Sequence, residues 1–209
     1  MSRPRKAVSV AGIDPVPDGG IDAARVEAAV TQILSAIGED PARPGLRDTP
    51  SRVAQAYAEF FSGVGVDPLV HLRDATWAEE HQVGQVVMLR DIRFRSICEH
   101  HLLPFAGVAH LAYVPAGRIV GLGRLVRVVE TLAARPQVQE RLTEEIADAL
   151  QAGLDPLGVL VVMDAVHDCV TARGARQSDS STVTIAARGS LTEPAARSEL
   201  MRLIGGNDA

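Results

Sequence analysis

The residue types best able to do chemistry in this chain are its two cysteines, and both sit among histidines. Cys98 lies in Ser96-Ile97-Cys98-Glu99-His100-His101 and Cys169 in His167-Asp168-Cys169, so three of the six histidines fall within three positions of the only two cysteines. Two cysteines do not make a disulfide framework, and a reducing compartment leaves both as thiols. Thiolate and imidazole are the donors that zinc prefers, and a catalytic zinc usually takes three protein ligands and leaves a fourth position to water. Cys98, His101 and Cys169 meet that count. The separation of Cys98 and His101 lets one turn present both side chains to a single ion, and Cys169 arrives from far along the chain. His167 stands two positions before Cys169. On a strand that runs through both, the two side chains share a face, which puts the imidazole beside the metal without binding it and points Asp168 away.

A lone cysteine is more often a buried, inert thiol, but two cysteines each flanked by histidine favour a metal. A purely structural zinc normally has four protein ligands. His100 is available as the fourth, yet adjacent residues seldom reach one ion together, so His100 is read as an acid–base group. His71, His81 and His110 stand alone and read as surface or locally hydrogen-bonded residues.

These side chains need a frame. From Asp22, Val26, Val30, Ile33, Leu34 and Ile37 recur at three- and four-residue steps and predict an amphipathic helix ending near Gly38. Asp48-Thr49-Pro50-Ser51 reads as a second helix start that runs to Gly63. From about Gln85 the pattern turns to β, with strands at 85–89 and 92–97, the second ending at Cys98. Gly107 to Val114 predicts a further strand and 119–122 a short extended piece, followed by helices at 124–133 and 137–152. A long strand from Gly158 carries His167 and Cys169 at its far end, Ser181 to Ala186 forms the fourth strand, and residues 194–204 a closing helix. The expected architecture is α+β: a ββααββ antiparallel sheet with helices on one face. The expected division is a mobile arm over 1–20, an N-terminal helical segment over 21–66 and a catalytic domain over 67–209.

With 209 residues, 46% of hydrophobic types, the chain can bury a substantial core. No apolar run is long enough for a membrane span, and the first twenty residues lack the apolar stretch of a secretory signal, so a cytoplasmic protein without a membrane partner is expected. A formal net charge of -5 and a pI near 5.7 argue against binding long nucleic acids, so an anionic ligand must be held by a local cluster of arginines.

Three segments resemble the type I GTP cyclohydrolase family, built on the tunnelling or T-fold: Cys98-Glu99-His100-His101-Leu102-Leu103-Pro104-Phe105, Arg135-Pro136-Gln137-Val138-Gln139-Glu140-Arg141-Leu142, and Asp164-Ala165-Val166-His167-Asp168-Cys169-Val170 with Ala172-Arg173-Gly174. They come in the right order within the predicted frame, over roughly residues 48 to 204. The resemblance implies zinc-dependent conversion of GTP and water to 7,8-dihydroneopterin triphosphate and formate, the first step of a pterin, folate or deazapurine route. It implies acid–base roles for His100 and His167. Gln139 and Glu140 match substrate-binding positions, Glu140 being the carboxylate that reads guanine by accepting from its ring N–H and exocyclic amine. Arg124, Arg127, Arg173 and Arg52 match phosphate-binding positions, with Arg176 a weaker candidate. It further implies a toroidal homo-oligomer of ten chains with pockets between subunits, so that Arg52 acts in trans. The chain departs from the family in one place: where Gly-Leu-Ser-Lys is usual it has Gly121-Leu122-Gly123-Arg124. That substitution bears on one rival, an enzyme that stops at a formylated or unrearranged pyrimidine; a second rival, a catalytically silent purine- or pterin-binding module, is opposed by the complete Cys98, His100, His101, His167 and Cys169 set.

Overall fold

The computed structural model describes residues 20–205. The arm expected over 1–20 therefore lies, except for Gly20, outside the described residues. The chain divides into two compact units, Met1–Ala58 and Glu59–Ala209.

In the first unit, α1 spans Ala23–Ala36, capped by Asp22, whose side chain accepts a hydrogen bond from the Arg25 N–H at 3.0 Å. Gly38 at φ +88° ends the helix where the sequence places its stop. The second helix, α2 (Thr49–Phe60), starts at Thr49-Pro50 as expected, since proline in the first turn lacks only an N–H that would have no helical partner.

The second unit contains, in chain order, β1 (Thr76–Trp77), β2 (Val87–Cys98), β3 (Pro104–Val114), β4 (Arg118–Ile119), α3 (Leu122–Ala133), β5 (Pro136–Gln137), α4 (Gln139–Leu154), β6 (Gly158–His167), α5 (Asp168–Thr171), β7 (Thr182–Gly189) and α6 (Pro194–Gly205). The four long strands form an antiparallel sheet in the order β2-β3-β6-β7, and β5 adds parallel to β2 at Ile97 and Cys98. This is the ββααββ unit of a T-fold, with α3 and α4 as its central helices.

Alternation along β6 sorts the core. Val159, Val161 and Met163 face Leu125, Val129, Leu142 and Ile146 of α3 and α4. Leu160 and Val162 face the other way and meet Leu191 and Leu200. The expectation of helices on one face holds for α3 and α4. It needs correcting for α6, which covers part of the opposite face because Leu200 and its neighbours find apolar partners there.

Two further expectations change. The strands expected at 85–89 and 92–97 are one strand, β2, interrupted by a register shift between Leu89 and Ile92 where Asp91 takes φ +59°. The extra residue forms a bulge. Its backbone N–H is satisfied by Nδ1 of His110 on β3 at 3.3 Å. The extended piece expected at 119–122 shortens to β4, which pairs with β1, because Leu122 already begins α3.

Candidate active site

The site is assembled at one end of the sheet. β3 lies between β2 and β6, and its register sets Ile97 opposite Pro104 and Phe105 opposite His167. The ends of β2 and β6 therefore stand two strand spacings apart, roughly 10 Å. Gly107 permits this pairing, since a Cβ there would lie 1.9 Å from the Asp164 carbonyl oxygen.

Beyond Cys98 the chain makes a tight turn. The Cys98 N–H donates to the Leu103 carbonyl at 2.8 Å, the Leu102 N–H donates to the Cys98 carbonyl at 2.9 Å, and Leu102 adopts φ +51°. The turn is tied sideways to β5 and α4: the Glu99 N–H donates to the Gln137 carbonyl of β5 at 2.9 Å, and Arg141 of α4 pairs with the Glu99 carboxylate at 2.5 Å.

At the end of β6 the structure corrects the sequence reading. Cys169 does not continue the strand. The strand stops at His167 and Asp168–Thr171 turn helical, so Cys169 is presented by a helical turn and not by two-residue alternation. Asp168 is half-buried in that turn. The turn draws Cys169 inward across the gap: the metal-binding atoms of Cys98, His101 and Cys169 all lie within 4.8 Å of one another. Soft sulfur and borderline nitrogen donors about 2.0–2.3 Å from a tetrahedral zinc stand roughly 3.5 Å apart, so a small side-chain adjustment would let this group hold an ion. Both cysteines are free thiols, Cys98 buried and Cys169 partly exposed. Burial raises the Cys169 thiol above its ordinary value, the adjacent Cys98 raises it further, and Arg173 opposes both. A cation at this position removes that penalty by binding the thiolates.

His167 is held from two sides. Its ring stacks on Phe105 with centroids 4.6 Å apart and planes 6° from parallel. Its Nε2 lies 2.7 Å from Oε1 of Gln139. Burial lowers its pKa, and the carboxylate of Glu140 works in the opposite direction. A neutral imidazole beside a metal-competent cluster can exchange protons with a bound molecule.

Gln139 opens α4 and is 1% exposed. Its Nε2 donates toward the Met163 carbonyl at 3.2 Å, the Thr182 carbonyl at 2.7 Å and Thr184 Oγ1 at 3.1 Å. Turning the amide over would set its oxygen against two carbonyl oxygens and strand buried acceptors, a cost of about 1–3 kcal/mol for each unsatisfied group. The amide orientation is therefore fixed. Thr143 Oγ1 completes the network, donating to the Gln139 carbonyl at 2.8 Å and lying 2.6 Å from Thr184 Oγ1.

The other expected residues are distributed more widely. His100 and His101 are exposed on the turn, with ring centroids 6.2 Å apart. Glu140 is exposed in the first turn of α4, near enough to His167 to affect its protonation. Arg173 stands near Cys169. Arg124 and Arg127 line a separate cleft of about 380 Å³ with Gly121 and Gly123, at the start of α3, and Arg124 is paired with Asp74 at 2.7 Å. Burial lowers the His71 pKa, and Arg127 and Arg124 lower it further, so these cations also act on His71. Arg52 belongs to the first unit, where it pairs with Asp48 at 3.0 Å. Arg176 adopts φ +52°. Phe105, Thr143 and Thr184 escaped sequence reasoning. Phe105 lies inside the first motif, but its stacking on His167 depends on a register that no local pattern reveals.

The family model described as GTP cyclohydrolase I matches residues 26–205. A GTP cyclohydrolase 1 of Leifsonia xyli subsp. xyli is 62% identical over 186 residues, covering 89% of this chain and 97% of that protein. A GTP cyclohydrolase 1 of Carboxydothermus hydrogenoformans is 52% identical over 187 residues, with 88% and 96% covered. A third, from Rhodopirellula baltica, is 50% identical over 189 residues, with 90% and 81% covered. Identity at this level across nearly the whole length, together with a Cys-His-Cys cluster at the end of a ββααββ sheet, means that the chain belongs to the GTP cyclohydrolase I family.

Proposed function

We propose that this chain converts GTP and water to 7,8-dihydroneopterin triphosphate and formate, with one zinc ion held by Cys98, His101 and Cys169. The observation that carries the reading is the convergence of those three donor atoms within 4.8 Å in a chain of this family. When bound, zinc supplies a Lewis acid that acidifies water near neutral pH. The chain's own residues do the rest. His167, held against Phe105 and Gln139, and His100, exposed on the turn, accept and return protons as water adds to C8 of guanine and the imidazole ring opens. Glu140 accepts hydrogen bonds from the guanine ring N–H and exocyclic amine, a paired donor edge that adenine lacks. Arg124, Arg127, Arg173 and Arg52 offset the charge of the triphosphate.

The enzyme works as a ring of ten subunits in the cytoplasm, with each pocket shared between neighbours and Arg52 supplied in trans. Apolar side chains left exposed on the single chain support the assembly: Ile33 on α1, Ile37 at its C-terminal cap, and Val183 and Ile185 on β7. The need to keep two thiolates reduced supports the compartment. The product feeds a pterin, folate or deazapurine route. The test is to incubate the zinc-loaded protein with GTP and to follow formate and, after oxidation, pterin fluorescence. Both products in equal amounts are expected, and absence of GTP loss would sink the reading.

A further inference from the structure

Among the groups around the site, Gln139 is the one whose geometry and expected role disagree. Family resemblance makes it a substrate contact. Its side chain is 1% exposed, and every polar atom of its amide already has a protein partner. A buried amide whose N–H donors are committed to the protein and whose oxygen already meets His167 has no donor to offer a ligand without first breaking a buried bond.

We propose that Gln139 is a positioning residue that fixes the tautomer of His167, with Thr184 and Thr143 fixing Gln139 in turn. Because the Nε2 of Gln139 is committed to the Met163 and Thr182 carbonyls and to Thr184, its Oε1 is the atom that meets His167, at 2.7 Å. An amide oxygen only accepts, so the imidazole nitrogen facing it, Nε2, carries a hydrogen and donates. Nδ1 is left with the free lone pair. Phe105, stacked 6° from parallel at 4.6 Å, opposes a turnover of the ring, which would put the Cε1 carbon where Nε2 now meets Gln139. The lone pair that His167 can offer a bound molecule is therefore the one on Nδ1, while the Nε2–H stays bonded to Gln139. The network is anchored on β6, β7 and α4 together, so ring orientation and tautomer are set by the packed sheet and not by the exposed turn that carries His100.

This inference rests on the proposed reaction for the meaning of Nδ1 but not for the tautomer itself, which is measurable without turnover. The experiment is 15N NMR of the zinc-loaded full-length protein labelled at histidine, with His167→Ala used to assign the resonances. The expected spectrum has a protonated Nε2 and an unprotonated Nδ1 at His167; the reverse assignment overturns the proposal. Steady-state kinetics of Gln139→Met and Thr184→Val supply the second readout. Loss of orientation is expected to lower kcat on the order of 10- to 100-fold in Gln139→Met, the range for removing groups that orient a functional imidazole, and less in Thr184→Val. KM for GTP and zinc content should stay unchanged. A raised KM with kcat preserved would make Gln139 a substrate contact and overturn the positioning role. If the wild-type protein fails to consume GTP, the proposed reaction falls while the spectrum still decides the tautomer.

Discussion

Removing any one of Cys98, His101 or Cys169 leaves two donors from the Cys-His-Cys cluster, too few to hold zinc tightly. Metal analysis of the three alanine variants should show loss of zinc in each, and retention by one would take that residue out of the ligand set. His167→Ala and His100→Ala should keep the metal and lose on the order of 10²- to 10⁴-fold in the rate of ring opening, the range for a positioned acid or base. If His100→Ala also loses its zinc, His100 is a ligand. Glu140→Gln replaces two acceptors by one acceptor and one donor against a guanine edge that offers two donors. GTP binding should weaken sharply, and unchanged affinity with unchanged preference over ATP would mark Glu140 as an ordinary solvated helix residue. Gly123 is open: a Cβ added there meets nothing within 4 Å. Gly123→Ser should therefore fold normally and place a hydroxyl in the cleft with Arg124 and Arg127. In the proposed reaction, sugar rearrangement needs groups that move protons among ribose oxygens and carbons, and a hydroxyl at position 123 would be one such group. Equal rates of GTP loss and pterin formation in the wild type, with no gain in Gly123→Ser, would show that the missing hydroxyl is immaterial.

At the scale of elements, the bulge in β2 depends on a histidine of β3. His110 is 7% exposed and accepts the Asp91 N–H through Nδ1, a bond that protonation of Nδ1 destroys. Burial lowers its pKa, Arg90 adds to the effect, and the carboxylates of Asp91 and Asp164 oppose it. The folded value thus lies below the ordinary imidazole value of about 6.5. In the window between the two, the unfolded chain binds a proton that the native chain does not, so stability rises with pH across it. The contribution is complete above the unfolded value and is lost as pH falls through and below the window. His71, lowered by burial and by Arg127 and Arg124, has the same sign. Comparing urea midpoints at about pH 7.5 and about pH 5.5, His110→Gln should lose less stability on acidification than the wild type. An identical pH dependence in the two proteins would remove His110 from the acid response.

At the scale of the whole molecule, the proposed ring makes a prediction that a single chain cannot meet. If Arg52 serves the pocket of a neighbour, mixing unfolded Arg52→Ala and His167→Ala chains and refolding them together should restore turnover that neither variant has alone. Light scattering should give a mass near ten times 22.2 kDa. A stable monomer, or a mixed assembly no more active than its parts, would overturn the shared site.

Sequence by itself determined which metal-binding donors cluster and the order of the parts. Cys98, His101, Cys169 and His167 are legible because thiolate and imidazole are scarce and here clustered, and the helices from Asp22 and Thr49 because caps, proline and glycine act within a few residues of themselves. The four long strands and two central helices were legible for the same local reason, apart from boundaries and the break at Asp91. Tertiary structure decided what depends on partners distant in the chain. The helical turn that carries Cys169, the second face taken by α6, the stacking of Phe105 on His167 and the burial of Gln139 all follow from strand register and packing across more than twenty residues of sequence. A local pattern states what a side chain can do, and only the packed sheet decides which atom of it remains free to act.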